Sequence, residues 1–366
     1  MKLIILSLDR TLADRGSAAA AKMAEYAEMT EKYLAVVPGF KDDLIVLSPK
    51  ASVKVISGNK ILYFFKILSY LRNLLRKEKF DLVSSQDPFG SGMVAWILKK
   101  IYGIPMHLQE HGDFFSSSYW KKESVGNFLS FYLGIFLLRR ADGIRAVSER
   151  IRETLISRFG IEGGKVTVVS MHTPMRDVRG KAREIFKDDF LFLSVARFVK
   201  QKNLGLMIEA FSKISADFPQ TRLLLVGRGP EKERLEAAAK RWGVGEKVVF
   251  KDWTEDVDYY YSQADAYLLS SNYEGWGRVI IEAGMFGLPV IMTDVGCARE
   301  IVKDGKNGLV VPVGDPASFG AGLSRILSDP GWARNLGENL REDVVRAEDK
   351  EKKLNLYKRS WENSLR

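Results

Sequence analysis

One cysteine in 366 residues, Cys297, leaves no internal disulfide framework, and the three histidines, His107, His111 and His172, form no Cys/His cluster with zinc spacing. No uninterrupted apolar run reaches the roughly 18 residues that suggest a transmembrane helix. The first residues, Met-Lys-Leu-Ile-Ile-Leu-Ser-Leu, have too short an apolar core for a signal peptide and read as a first strand. Short fixed-period repeats, low-complexity tracts, the His-Glu-x-x-His pair, the Walker loop and the Gly-x-Ser-x-Gly elbow are all missing. These absences point to a reducing, cytosolic compartment and away from zinc proteases, P-loop enzymes and serine hydrolases.

What is present is a 46% hydrophobic chain of a length that usually divides into two domains. Short Val/Ile/Leu runs alternate with helical patterns: Leu3 to Ser7, Leu44 to Leu47, Leu82 to Ser84, Met106 to Gln109, Gly143 to Val147 and Val166 to Val169. The rhythm resumes at Phe190 to Val195, Thr221 to Val226, Lys247 to Phe250, Ala266 to Leu269, Val290 to Met292 and Gly308 to Val311. Strands alternating with helices predict an α/β protein of two Rossmann-like, doubly wound parallel-sheet domains, facing a cleft outside the carboxyl ends of their strands. The aperiodic, polar run Met171 to Lys187 reads as the linker, so the expected division is 1–180 and 181–345, followed by a terminal helix over 346–366.

The net charge of +10 allows an acidic partner, either nucleic acid or an anionic membrane. Lys60 to Phe80 carries six basic residues and one acidic residue on an apolar helical pattern. On a helical wheel Phe64, Ile67, Leu68, Leu71, Leu74 and Leu75 share one side, with Lys66, Arg72, Arg76 and Lys77 opposite. This is a candidate interfacial helix, and equally an ordinary helix covering a sheet. Phe128 to Leu138, followed by Arg139 and Arg140, is a second apolar stretch, open to burial or to the membrane. No nucleic-acid module is recognisable, and nucleic acid is not expected as a partner.

Candidate site residues lie at strand ends. Arg197 and Lys202 straddle the loop after Phe190 to Val195, where two cations can clamp a diphosphate and stabilise it as a leaving group. A solvated basic turn would read the same. Gly227 and Gly229 sit in a tight strand-to-helix turn; the third glycine of a dinucleotide fingerprint is replaced by Lys232. Glu274 and Glu282 bracket Gly275 to Ile281, where Gly277 permits a tight turn into a helix from Arg278 to Phe286. The amino end of that helix attracts phosphate, while the two carboxylates accept from sugar hydroxyls. Glu282 pairing with Arg278 at i, i+4 is the plain alternative. His111, on a strand-end loop beside Glu110, Gly112 and Asp113, is placed to hydrogen-bond or exchange a proton with a sugar, and a satisfied structural histidine would read the same. Gly16-Ser17 offers a small-residue turn before the alanine-rich Ala18 to Ala21. Asp256-Val257-Asp258 formally matches a metal-binding Asp-x-Asp but reads as a helix cap, so no metal is expected.

Ala196-Arg197-Phe198-Val199 with Lys202-Asn203, Leu225-Val226-Gly227-Arg228-Gly229-Pro230, Glu274-Gly275-Trp276-Gly277 to Glu282-Ala283, Gly287-Leu288-Pro289-Val290, and Asp304-Gly305-Lys306-Asn307-Gly308 resemble, in that order, the retaining glycosyltransferases of family 4. His111-Gly112 and Ala141 to Ser148 extend the resemblance more weakly into the first half. It implies a GT-B fold, a UDP-, GDP- or ADP-sugar donor, retention of anomeric configuration, no cofactor and no required metal. By the same resemblance Arg197 and Lys202 hold the donor diphosphate, Glu274 contacts the donor sugar and Glu282 the ribose. Backbone amides from Trp276 through Gly277 and Arg278 to Val279 meet sugar hydroxyls and phosphate, and His111 contacts the sugar near the reacting centre. Trp253 opens the base-binding segment. The implied reaction transfers a hexose-type sugar to a glycan or lipid-linked acceptor in cell-envelope synthesis, in the cytoplasm or peripherally on the cytoplasmic membrane face. A sugar-nucleotide epimerase or hydrolase of the same fold, or a non-catalytic sugar-nucleotide binder, are the rival readings. The chain departs from the family at Gly16-Ser17, where paired glycines are usual, at Met171-His172-Thr173, where Asn-Gly is usual, and at Asp252, where glycine is usual.

Overall fold

The computed structural model describes residues 1–175 and 184–366 and divides into two units, Met1–Ser170 with Lys350–Arg366, and Met171–Asp349. The boundary expected near residue 180 lies outside the described residues.

The first unit is built on an eight-stranded sheet of β1 (Lys2–Leu6), β2 (Lys32–Gly39), β3 (Asp43–Val46), β4 (Ala51–Ser57), β5 (Leu82–Ser85), β6 (Met106–Glu110), β7 (Gly143–Ala146) and β8 (Val166–Val168). The spatial order is β3-β4-β2-β1-β5-β6-β7-β8. Helices α1 (Ala18–Glu28), α2 (Lys60–Leu75), α3 (Gly90–Tyr102), α4 (Ser118–Lys122), α5 (Val125–Leu138) and α6 (Glu149–Phe159) connect the strands. β1 and β2, inside this sheet, carry the apolar runs Leu3 to Leu6 and Tyr33 to Val37, all buried, because both faces are covered there.

Two strands, β2 and β4, lie outside the runs expected from sequence. In β4 buried Ala51, Val53 and Val55 alternate with half-buried Ser52 and Lys54, which dilutes the apolar signal. The expected strand at Leu44 to Leu47 is β3, but it pairs antiparallel with β4 at the sheet edge and leaves Leu44 and Val46 exposed. The helix expected over Lys60 to Phe80 ends at Leu75, and Phe80 is buried beyond it. Asn59 caps its start by accepting from the Leu62 N–H at 2.9 Å. Ile67 and Leu71, at the centre of the apolar side, are buried, and Phe64, Leu68, Leu74 and Leu75 are half-buried, so that side faces the protein.

The second unit has a six-stranded, wholly parallel sheet of β9 (Phe190–Val195), β10 (Thr221–Val226), β11 (Val248–Lys251), β12 (Ala266–Leu269), β13 (Val290–Thr293) and β14 (Leu309–Val311), in the order β11-β10-β9-β12-β13-β14. Its helices are α7 (Leu204–Ile214), α8 (Lys232–Arg241), α9 (Val257–Gln263), α10 (Arg278–Met285), α11 (Pro316–Ser328) and α12 (Pro330–Ala347). One core packs Phe192, Leu223, Leu225 and Ile291 of the sheet against Met207, Phe211, Phe319 and Leu323 of α7 and α11. The connections reverse direction between β9 and β12, and in open α/β sheets such a switch point opens a crevice at the carboxyl strand ends. Both loops carrying the predicted carboxylate and cations leave from there.

The last helix, α13 (Lys350–Asn363), belongs to the first unit. Trp361 and Tyr357 are buried against Tyr26 and Tyr33, with Tyr26 stacked on Tyr357 at 4.5 Å. Ser360 reaches buried His107 at 2.8 Å. Within the second unit Glu348 accepts from the Thr173 N–H at 2.8 Å and lies 3.0 Å from His172 Nδ1, which ties the Met171-His172-Thr173 segment to the end of α12.

Candidate active site

The β9 exit and the β10 exit are locked together through backbone. Phe198 donates its N–H to the Arg228 carbonyl at 2.8 Å, and Glu231 donates to the Phe198 carbonyl at 3.0 Å. This approach is why Gly227 and Gly229 are glycines. A Cβ at Gly227 would lie 1.9 Å from the Ala196 oxygen, and one at Gly229 would lie 2.3 Å from the Phe198 oxygen. The pair therefore admits the protein's own backbone. Gly227 also lines a cavity, whereas Gly229 is packed behind the loop.

The β12 exit fixes the second cation. Ser270 Oγ donates to the Lys202 carbonyl at 2.9 Å, Asn272 N–H donates to the Gln201 oxygen at 2.8 Å, and Asn203 Nδ2 donates to Asn272 Oδ1 at 3.1 Å. Asn203 itself takes a left-handed turn, φ 45°, which aims the chain into α7. Thus Lys202 Nζ meets Glu274 Oε1 in a short, nearly buried ion pair, and Ser271 Oγ donates to the same carboxylate oxygen at 2.7 Å.

Gly277, at φ 89°, starts α10 with no side chain capping it, so the first amides of the helix are left for an anion. The preceding loop is braced from behind: Cys297 donates its N–H to the Trp276 carbonyl at 2.8 Å, and a Cβ on Gly296 would lie 2.5 Å from that carbonyl oxygen. Trp276 is itself buried, so only its backbone can serve a ligand. One turn into α10, buried Glu282 accepts from Tyr261 Oη at 3.0 Å and lies 3.5 Å from Arg278. The plain i, i+4 pairing is therefore real, and it coexists with a place on the cavity wall.

That cavity, about 510 Å³, brings together Arg197, Lys202, Gly227, Trp253, Arg278, Val279 and Glu282 from loops far apart in sequence. Arg197 projects exposed on its wall, and among the described residues no carboxylate pairs with it. Trp253 is half exposed and supplies an apolar face at the end of β11. Arg228 and Glu255 also line the cavity and were not expected from sequence. Tyr261, which holds Glu282, and Ser271, which holds Glu274, were likewise missed; both act through contacts between distant loops that leave no local pattern. Asp256 caps α9 by accepting from the Tyr259 N–H at 3.3 Å.

Gly16 and His111 belong to the first unit. Gly16 lies exposed in the turn before α1, where it donates its N–H to Asp14 Oδ1 at 3.0 Å and Ser17 caps the helix. His111 leaves the carboxyl end of β6 with its Nε2 3.1 Å from Gln109 Oε1. That amide oxygen also accepts from Arg145 at 3.0 Å and from Tyr357 Oη at 2.7 Å. The guanidinium fixes which end of the Gln109 amide is oxygen, and an amide oxygen only accepts. His111 therefore donates through Nε2 and keeps Nδ1 as an acceptor. Burial first, then the Arg145 charge, holds its pKa well below the ordinary imidazole range, so the ring is neutral.

Beside it Glu110 is fully buried and accepts from the Phe114 N–H at 2.9 Å. Burial pushes its pKa from 4.5 up to about 8, against the opposing Phe114 hydrogen bond. The folded state thus keeps a proton that the unfolded chain has lost, so stability falls as pH rises from about 4.5 to about 8. Glu110→Gln should flatten this slope, with a larger gain in melting temperature at the alkaline end of the window. Equal slopes for both proteins, followed by circular dichroism, would rule this account out.

Residues 176–343 match the family model described as "Glycosyl transferases group 1", and residues 33–171 match that described as "Glycosyltransferase Family 4". EpsD of Bacillus subtilis is 25% identical over 289 residues, 75% of each chain. The N-acetylgalactosamine-N,N'-diacetylbacillosaminyl-diphospho-undecaprenol 4-alpha-N-acetylgalactosaminyltransferase of Campylobacter jejuni is 29% identical over 57% of each chain. The crystal structure of Anabaena HepE in complex with UDP superposes with a TM-score of 0.75 at 18% identity, covering 97% of this chain and 98% of the other. With two parallel-sheet α/β units and the ordered strand-end motifs at their places, the chain belongs to the group 1 glycosyltransferases and has the GT-B fold.

Proposed function

We propose that this glycosyltransferase moves a hexose-type sugar, with retention, from a UDP-, GDP- or ADP-sugar to a hydroxyl of a glycan or lipid-linked acceptor in cell-envelope synthesis. The observation that carries the reading is the Lys202–Glu274 pair beside exposed Arg197 and the uncapped start of α10. The pair puts a cation for the diphosphate next to a carboxylate for the sugar, so one ligand can satisfy both. As the bond from the anomeric carbon to the diphosphate oxygen breaks, that oxygen gains negative charge. Arg197, Lys202 and the α10 amides lie where fixed positive charge stabilises it. The acceptor oxygen forms the new bond on the same face, and its proton passes to the departing phosphate. This positive set does the work that a metal does elsewhere, so the reading includes turnover without added metal. Trp253 offers its face to the base and Glu282 accepts from the ribose. In the first unit, His111 Nδ1 accepts from a donor-sugar hydroxyl.

The Campylobacter relative's undecaprenol-linked acceptor supports a lipid-linked acceptor, and the UDP bound to HepE supports a nucleoside-diphosphate donor. A thermal-shift panel of UDP-, GDP- and ADP-sugars, run with a chelator present, tests the reading. The matching donor at 100 times its Kd should stabilise the protein by about 2.7 kcal/mol. No shift with any of the three sets would overturn it, and inversion at the anomeric carbon of the product would overturn the retaining step. Action at the cytoplasmic face of the membrane is part of the same proposal.

A further inference from the structure

Helix α5 is apolar on both sides, yet only one side is covered. Its fourteen residues, Val-Gly-Asn-Phe-Leu-Ser-Phe-Tyr-Leu-Gly-Ile-Phe-Leu-Leu, include no charge. Phe131, Gly134, Leu137 and Leu138 are buried, and Gly134 is packed so closely that a Cβ would lie 2.6 Å from the Phe115 ring. At 100° per residue, Val125, Phe128, Leu129 and Tyr132 fall on the opposite side. They are 78%, 46%, 64% and 54% exposed. The helix's polar residues, Asn127 and Ser130, are not on that outer side; Asn127 is turned inward to the Trp120 carbonyl at 3.0 Å. A helix hydrophobic all round is normally buried all round, so the outer face wants a partner.

The surrounding charges say which. Lys121, half-buried over the Phe131 ring at 4.7 Å, and exposed Lys122 end α4 just before the apolar face, with one exposed carboxylate, Glu123, after them. Exposed Arg139 and Arg140 follow the face, with Arg140 folded over the Phe136 ring at 3.6 Å, so four cations outweigh one anion around it. Cations at both ends of an uncharged face, on a chain of net charge +10, complement a negative surface. A second copy would set these same four cations against their equivalents or near them. At about 1.5 Å per residue the helix is about 21 Å long, short of the roughly 30 Å hydrocarbon core. Among the described residues no helix is long and apolar enough to cross a membrane. We infer that the outer face of α5 is the membrane-docking surface of this protein: it lies in the plane of an anionic bilayer with Val125, Phe128, Leu129 and Tyr132 in the headgroup boundary and Lys121, Lys122, Arg139 and Arg140 on the phosphates. It is this helix, rather than the apolar side of α2, that meets lipid. The inference rests on the proposed membrane-face transferase only for its use, since vesicle binding is read without donor or acceptor.

The test is co-sedimentation of the whole chain with vesicles of phosphatidylcholine alone and of phosphatidylcholine mixed with phosphatidylglycerol. The wild type should bind the mixed vesicles, less so as salt rises. Val125→Glu with Leu129→Glu should weaken that binding about tenfold or more, and Lys121→Gln with Lys122→Gln should do so by about tenfold on the mixed vesicles. Val125, Leu129 and Lys122 are exposed and Lys121 packs only on the Phe131 ring, so melting temperatures close to the wild type should confirm folding. Loss of binding in Leu62→Glu with Phe65→Glu of α2, but not in the α5 pair, would overturn the inference. So would a wild type that ignores both vesicles, or a dimer in solution that Val125→Glu dissolves while vesicle binding is absent.

Discussion

Lys202→Ala is expected to lower kcat/KM by roughly a hundred- to a thousandfold, the usual effect of removing one preorganised charge from a transition-state site. The expectation follows from position. Lys202 is held through its own carbonyl by Ser270 and through its ammonium by Glu274, so little reorganisation is needed when the leaving oxygen gains charge. Arg197→Ala should cause a comparable loss, and the double variant should fall well short of the sum if both cations act on one diphosphate. Among the described residues Lys202→Ala also leaves Glu274 with Ser271 as its remaining side-chain partner, which adds a structural part to the loss. Lys202→Gln, which carries no charge and can still donate toward Glu274, separates the two: stability should return while turnover stays low. Turnover at the wild-type rate in Lys202→Ala, measured as nucleotide release dependent on acceptor, would defeat the mechanism.

Trp361→Ala should destabilise the first unit by about 3–5 kcal/mol, the range for deleting a large buried aromatic side chain. Trp361 is fully buried at the centre of an aromatic cluster, 4.8 Å from the Tyr357 ring, 6.1 Å from Tyr33 and 6.4 Å from Tyr26. Its removal should loosen α13 as a whole. Two polar links would loosen with it, Tyr357 to Gln109 and Ser360 to His107, and Gln109 is what orients His111. The variant is therefore expected to lose activity below its new melting temperature as well as above it, whereas Trp361→Phe should keep most of both. Thermal unfolding with proteolysis of the terminal helix checks this; a fall of less than about 1 kcal/mol would mean that α13 is not a structural part of the unit.

Much of this arrangement was legible locally. Short apolar runs revealed twelve of the fourteen strands among the described residues, with small shifts at their ends, because a parallel strand covered on both faces, as most of these are, has little polar alternation to hide it. β4 escaped because lysine and serine are mixed into its pattern, β2 was missed although Tyr33 to Val37 is itself a continuous buried apolar run, and the antiparallel pairing of β3 depends on a neighbour that sequence did not reveal. The cap at Asp256, the turn at Gly277 and the strand-end placing of Arg197 and Lys202 are set by backbone chemistry within a few residues, and all were readable.

Contacts between distant loops were not readable. That Lys202 spends its charge on Glu274, that Tyr261 holds Glu282, and that Gln109 is gripped by Arg145 and by Tyr357 of the last helix are each decided by pairs 21 to 248 residues apart. The same holds for exposure: α2 and α5 both look like apolar helices with basic ends, and only packing shows that the apolar side of α2 is used up while a face of α5 is left over. The sequence by itself determined most of the elements, their alternation and the kinds of side chain at the strand ends, because those depend on local backbone preference and side-chain period. Tertiary structure alone decided which of those side chains are paired, buried or free to meet a ligand, because burial and hydrogen bonding belong to the neighbours that folding brings.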